Sequence, residues 1–302
     1  MLAHYTLGWT YFNLGDIASA RTHLEDSTVL YTPRLRHTAA FRSGQDPGVG
    51  CLSFATLALW ILGYPDRART RSQEALILAQ DLAHPFSMAF ARIWAAAIPR
   101  QFCREALQVH EQAETAIAFA TEHGFGLLEA WGTILRGWAL AVQGQSEEGI
   151  AQMNQGLATH REMGSEALLP YFLALLAGAY GKVGQIEQGL YLVAEALATA
   201  DDHEERFYEA ELHRLNGELL LQPSPNNSAE AETYFRQAIA IAQNQSAKSW
   251  ELRAATSLAR LWLSQGKRQE AYDLLAPVYE WFTEGFDTAD LQEAKRVLGD
   301  LS

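Results

Sequence analysis

The chain has 302 residues, is 48% hydrophobic and carries a net charge of −13, so apolar content for a large core is present. The charge is uneven: residues 1–150 hold 14 acidic against 11 basic side chains, and residues 151–302 hold 22 against 12. Such an acidic half excludes non-specific capture of nucleic acid or an anionic membrane, both of which need clustered Lys and Arg. No signal-peptide pattern and no bilayer-length apolar run occurs, which points to a cytoplasmic protein that makes no membrane contact.

The first helix pair is predicted to start near residue 2. Gly8 lets a second helix approach, Tyr11 supplies the next aromatic, Gly15 stops the helix, and Ala20 and Leu24 face back from the helix that follows. The order returns at Gly137, Leu140, Gly144 and Gly149, at Ala177, Tyr180, Gly184 and Gly189, and at Ala259, Trp262, Gly266 and Ala271. The helix-ending glycines Gly63, Gly144, Gly184 and Gly266 lie 81, 40 and 82 residues apart, multiples of about 41. This small–aromatic–glycine–alanine order resembles the tetratricopeptide repeat. The usual unit of that family is about 34 residues, so each pair here should carry roughly two extra helical turns. The resemblance implies an all-α, right-handed superhelical solenoid, a single array over residues 1–302.

Further pairs are predicted to begin near residues 51, 86, 127, 168, 207 and 249, giving seven, with a capping helix over 288–300. The connector from Tyr31 to Gly50 holds Pro33, Gly44, Pro47, Gly48 and Gly50 and is not expected to be helical throughout. Arg36, His37, Arg42 and Asp46 crowd into it, which makes it a candidate partner-contacting loop or a plain structural connector. In the sixth pair the run from Gln222 to Ser228 replaces a tight turn, with Asn227 or Ser228 as the cap of the next helix. Asp287 or Thr288 would cap the final helix, whose face carries Leu291, Ala294 and Leu298. Leu2, Tyr5, Trp9 and Phe12 have no preceding repeat to cover them, so the reading favours a piece of a longer chain over a bare binding face.

Catalytic and cofactor motifs are missing from the sequence. Gly181 and Gly266, each followed by Lys, are helix ends without the rest of a phosphate-binding loop, and no nucleophile elbow occurs. Nine histidines are scattered without metal-ligand spacing, so neither metal nor cofactor is expected. Cys51 and Cys103 have no partner spacing and sit among apolar residues, as buried thiols do. The chain is therefore read as not an enzyme.

The stronger signal lies on the first helix of each pair. Counting back from the closing glycine, the inward places hold Trp131, Ile134, Trp138 and Ala141 in the fourth pair and Tyr171, Ala174, Gly178 and Gly181 in the fifth. They hold Glu211, Arg214, Glu218 and Leu221 in the sixth, and Arg253, Thr256, Arg260 and Leu263 in the seventh. Trp131, Trp138 and Tyr171 are candidate apolar anchors, and Arg214, Arg253 and Arg260 a candidate basic island for an acidic protein or peptide segment. The alternative is that the rings pack between repeats and the arginines are solvated.

Three blocks go beyond generic repeats: Glu129–Gln145, the stretches Tyr208–Leu221, Ala255–Trp262 and Leu275–Leu291 taken together, and Gly44–Gly50. They resemble the C-terminal repeat region of large multidomain bacterial signalling proteins. In those a class III adenylate or guanylate cyclase, a kinase or a DNA-binding domain precedes an AAA-like signalling ATPase, and the repeats come last. The resemblance implies a sensor or scaffold arm, without the cyclase or ATPase chemistry, whose partners include a cyclase or ATPase domain of the same system. A small-ligand, inducer-sensing domain of an ATP-dependent regulator is the alternative function.

Overall fold

The computed structural model describes residues 1–32, 44–222 and 227–301. Among them are fifteen helices and no strand. They are α1 (Leu2–Asn13), α2 (Ile17–Val29), α3 (Pro47–Ile61), α4 (Pro65–Leu82), and α5, which joins Pro85–Ala91, a π-helical stretch Arg92–Ala97 and Ile98–Phe102. Then come α6 (Ala106–His123), α7 (Gly126–Val142), α8 (Ser146–Glu162), α9 (Leu169–Lys182) and α10 (Ile186–Asp202). The last are α11 (Glu209–Leu221), α12 (Ser228–Asn244), α13 (Lys248–Ser264), α14 (Arg268–Glu280) and α15 (Ala289–Leu301). The fold is all-α and tetratricopeptide-like, with seven pairs and a final helix. No helix among the described residues is long and apolar enough to cross a membrane.

Two series of left-handed residues set the period. Between the helices of a pair stand Gly15, Gly63, Arg104, Gly144, Gly184 and Gly266, with φ of 81°, 92°, 61°, 93°, 76° and 77°. Arg104 explains the doubled gap from Gly63 to Gly144: the turn is there, held by a residue other than glycine. Between pairs stand Ala83, Gly124, Gly164, Glu204 and Ser246, three of them not glycine, again with positive φ. A side chain in this conformation costs about 1–2 kcal/mol, so packing on either side of these turns must outweigh it.

The second pair begins earlier than the glycine-rich sequence suggests. Pro47 opens α3, a position that loses nothing by lacking an N–H, and Asp46 Oδ1 accepts from the Val49 N–H at 3.1 Å. Gly48 and Gly50 are small because of their neighbours. A Cβ on Gly48 would lie 2.7 Å from the Tyr31 ring, and one on Gly50 2.6 Å from the Tyr5 hydroxyl. The glycines read as loop residues are therefore places where rings lie against the helix. Asn227 does precede α12, but no side chain caps that helix; its amide instead donates to the Leu220 carbonyl at 2.9 Å.

The chain divides into two compact units: Met1–Trp60 with Arg67–Leu168, and Ile61–Asp66 with Leu169–Ser302. In the first, rings from successive first helices meet. Trp9 and Phe54 have centroids 4.4 Å apart, Phe54 and Trp94 4.8 Å, and Trp94 and Trp131 5.7 Å. Phe12 is fully buried, Tyr5 and Trp9 are half-buried against Phe54 of the pair that follows, and Leu2 is exposed. Pro99 removes the N–H that would serve the Ala95 carbonyl; that oxygen accepts from Ser72 Oγ of α4 at 2.5 Å. The α7–α8 crossing is the tightest: a Cβ on Gly137 would sit 2.6 Å from the Gly149 carbonyl oxygen. In the second unit, Phe235, Leu252, Leu258, Leu275 and Leu291 share a core across α12–α15.

Candidate functional site

On α11, α13 and α15 polar side chains three or four residues apart fall on one helix face each: Glu211, Arg214 and Glu218; Arg253, Ser257 and Arg260; Asp290 and Glu293. Arg214 grips Glu211 with two hydrogen bonds of 2.8 Å, Nε to Oε2 and Nη2 to Oε1, and reaches Glu218 Oε1 at 3.2 Å. Arg253 Nε donates to Asp290 Oδ2 at 2.8 Å, and its Nη1 lies 3.4 Å from Glu211 Oε1. Arg260 donates to Glu218 Oε1 at 2.9 Å and to Glu293. Ser257 Oγ also donates to Glu218 Oε1, at 2.6 Å. The result is a ladder of ion pairs running from α11 through α13 to α15.

The ladder is dry at one end and wet at the other. Arg253 is 5% exposed and lies over the Trp250 ring, its guanidinium carbon 5.0 Å from the centroid. The Arg260 side chain is 44% exposed. Burial alone would lower the pKa of Arg253, but Asp290 and Glu211 outweigh it and the net direction is upward. Arg214 follows the same logic: desolvation lowers its pKa, and Glu211 and Glu218 raise it further. Both guanidiniums are thus fixed as cations by the carboxylates around them. A buried pair of this kind adds little net stability over apolar packing, but losing one partner strands the other.

The six residues singled out by sequence fall in different surroundings. Trp131 is 5% exposed; its Nε1 donates to His160 Nδ1 at 3.0 Å and its ring meets Trp94 edge to face. Tyr171 is fully buried, its ring against Tyr208 at 5.0 Å and its hydroxyl pKa pushed up by burial. Neither presents a surface to a partner; they pack between repeats, because the place read as inward faces the neighbouring first helix. Trp138 is half-buried. Trp131 and Trp138 belong to the first unit, and Tyr171, Arg214, Arg253 and Arg260 to the second. The three arginines do come together, as their spacing implied. They are not a basic island, however: Glu211, Glu218, Asp290 and Glu293 bring four negative charges to their three positive ones.

In the connector, Arg36, His37 and Arg42 lie outside the described residues. Asp46 is buried, accepting from the Tyr31 hydroxyl at 2.8 Å and donating its backbone N–H to Ser87 Oγ at 2.9 Å, so it is a structural cap. Of the two thiols, Cys51 is buried and Cys103 partly exposed, which corrects the expectation that both are inside. Burial pushes the Cys51 thiol up to about 11, and its Sγ lies 3.1 Å from Ser27 Oγ. Sequence reasoning missed Asp290 and Glu293 as partners of the arginines. It also missed a cluster of His4, His23 and Asp26, whose members come from two helices.

A family model described as Tetratricopeptide repeat matches residues 1–26 and 130–155. An uncharacterized protein of Rhizobium meliloti (strain 1021) is 26% identical over 257 residues, covering 85% of this chain and 25% of that protein. The chain therefore spans about a quarter of that relative's length. Among solved structures, a Rap protein complexed with competence and sporulation factor superposes with a TM-score of 0.62 at 15% identity, over 99% of this chain and 79% of that one. Aspartyl phosphate phosphatase F from Bacillus subtilis gives 0.57 at 12% identity, over 92% and 68%. Yeast Tom70 gives 0.52 at 13% identity, over 94% and 60%. At these identities the likeness is one of fold, and the fold is that of tetratricopeptide repeats.

Proposed function

We propose that the chain is a non-catalytic protein-interaction and regulatory module, the sensor or scaffold arm of a longer bacterial signalling protein built around an ATPase or cyclase. A tetratricopeptide-like fold and a relative more than three times as long support the arm reading. The observation that carries it is the ladder on α11, α13 and α15. Fixed charges on successive first helices end in the exposed side chain of Arg260 beside Glu218 and Glu293. Its mixed sign suits a protein segment carrying both charges, in place of the purely acidic segment expected from the arginines alone. Such a segment exchanges ion pairs at the wet end and leaves the buried end as support.

Selection of displayed peptides on the purified chain and on a Glu218→Ala/Arg260→Ala variant tests this. The expected result is a family of mixed-charge peptides that binds at least about tenfold more weakly to the variant, with unchanged helicity. Equal binding to both proteins would remove the ladder as the site.

A further inference from the structure

One cluster in the first unit has no part in the ladder. His4 on α1 and His23 on α2 turn their Nδ1 atoms toward each other at 3.0 Å. Asp26, one helical turn beyond His23, places Oδ2 3.6 Å from His4 Nδ1. The three ligand atoms all lie within 4.8 Å of one another. With the ring protons on Nε2, both Nδ1 lone pairs and the carboxylate face one point, the arrangement a bound cation would satisfy; with one proton on Nδ1 the two rings would share a hydrogen bond instead. Tyr11 stacks on His23 with ring planes 2° apart and centroids 5.4 Å apart, which fixes the orientation of that imidazole. Glu25, the neighbouring carboxylate, is held by Arg21 at 3.0 Å.

We propose that His4 Nδ1, His23 Nδ1 and the Asp26 carboxylate form a site for a divalent transition metal of the Zn2+ class, with water in the fourth position. A tetrahedral ion with bonds of about 2.0–2.1 Å needs ligand atoms about 3.3 Å apart. The observed 3.0 and 3.6 Å bracket that edge. Asp26 is exposed, so its carboxylate is free to rotate into place. Imidazole nitrogen with one carboxylate oxygen favours zinc, cobalt or nickel over calcium or magnesium, which take oxygen. The ion bridges α1 and α2, so binding strengthens the first pair; this revises the expectation that the scattered histidines hold no metal.

Titration of tag-free protein with Co2+ tests the site. The expected result is visible d–d absorption of tetrahedral intensity that saturates at one equivalent and is abolished by Zn2+. Zn2+ should also raise the unfolding midpoint of the wild type. His4→Ala and His23→Ala should each weaken Co2+ binding at least about tenfold with wild-type circular dichroism, and Asp26→Asn should weaken it less. No saturable absorption in the wild type would overturn the proposal, since the histidines would then merely share a proton. A response that survives in the His4→Ala/His23→Ala double variant would overturn it too, because the metal would be held elsewhere.

Discussion

The same place on successive first helices is filled by Trp131 on α7, Tyr171 on α9, Glu211 on α11 and Arg253 on α13. In the first unit that place belongs to a run of rings, Trp9, Phe54, Trp94 and Trp131, whose contacts are mostly apolar and whose polar demand is limited to the indole N–H groups, that of Trp131 answered by His160. In the second unit it passes from Tyr171 into the ladder, where each charge gives up its water and must be answered across a helix interface. One backbone period therefore accommodates two chemistries. Rings tolerate small errors of position; ion pairs hold α11, α13 and α15 in one register because a shifted helix would strand a charge.

The sharpest way to break this contrast is Arg253→Ala. It takes the Arg253 cation away from Asp290 in a dry site, while Glu211 keeps Arg214, and a loss of about 3–5 kcal/mol is expected by denaturant unfolding. Adding Asp290→Asn should restore part of it; a second change that adds its full cost would show that the two do not act as a pair. Replacing Arg253 and Asp290 together by apolar residues of similar volume, with Glu211 still held by Arg214, should recover most of the stability, which would separate register from energy.

In the first unit the counterpart is Gly137→Leu. The atom the new side chain meets is the backbone oxygen of Gly149, which cannot rotate away, so a loss of about 3 kcal/mol is expected. Gly8→Leu should cost less, since a side chain there meets Leu24, which can move. Equal unfolding midpoints for the two variants would show that the α7–α8 crossing yields more than its geometry implies.

The pH response distinguishes the ring-lined side further. Burial, with Arg161 adding to it, holds the His160 imidazole down to about 4. Its Nδ1 accepts from Trp131, so protonation there would set two donors against each other. The unfolded chain takes up this proton below about 6.5 and the folded chain only near 4, so stability falls as pH drops through that window, by up to about 3 kcal/mol. His160→Gln should flatten the fall between pH 6.5 and 4.5. His213, also lowered by burial, keeps a residual slope in the second unit. The smallest expected effect is Arg260→Ala, below about 1 kcal/mol because the pair is exposed.

Much of the architecture was legible because glycine stands at five of the turns within pairs. Between pairs glycine is a weaker marker, since Ala83, Glu204 and Ser246 adopt the left-handed conformation there without it. Gly48 and Gly50 misled in the other direction: small residues under Tyr31 and Tyr5 read as loop. The convergence of Arg214, Arg253 and Arg260 followed from their spacing, but their neutralisation did not. Asp290 and Glu293 belong to a helix outside the repeat, and no count of periods pairs them with α13. His4 and His23 join across two helices in no recognisable motif, so only three dimensions bring them together.

The ring-lined side has an optical consequence. Trp94 lies 5.6 Å from Trp9 and 5.7 Å from Trp131, both edge to face, whereas in the second unit Trp250 meets Tyr208 and Trp281 meets Phe282. Indoles this close share their excitation, so the first unit carries an exciton signature in near-ultraviolet circular dichroism. That couplet vanishes when the three rings separate, even while helix content persists. Its loss reports on the melting of one half of the chain from inside it, without any added label.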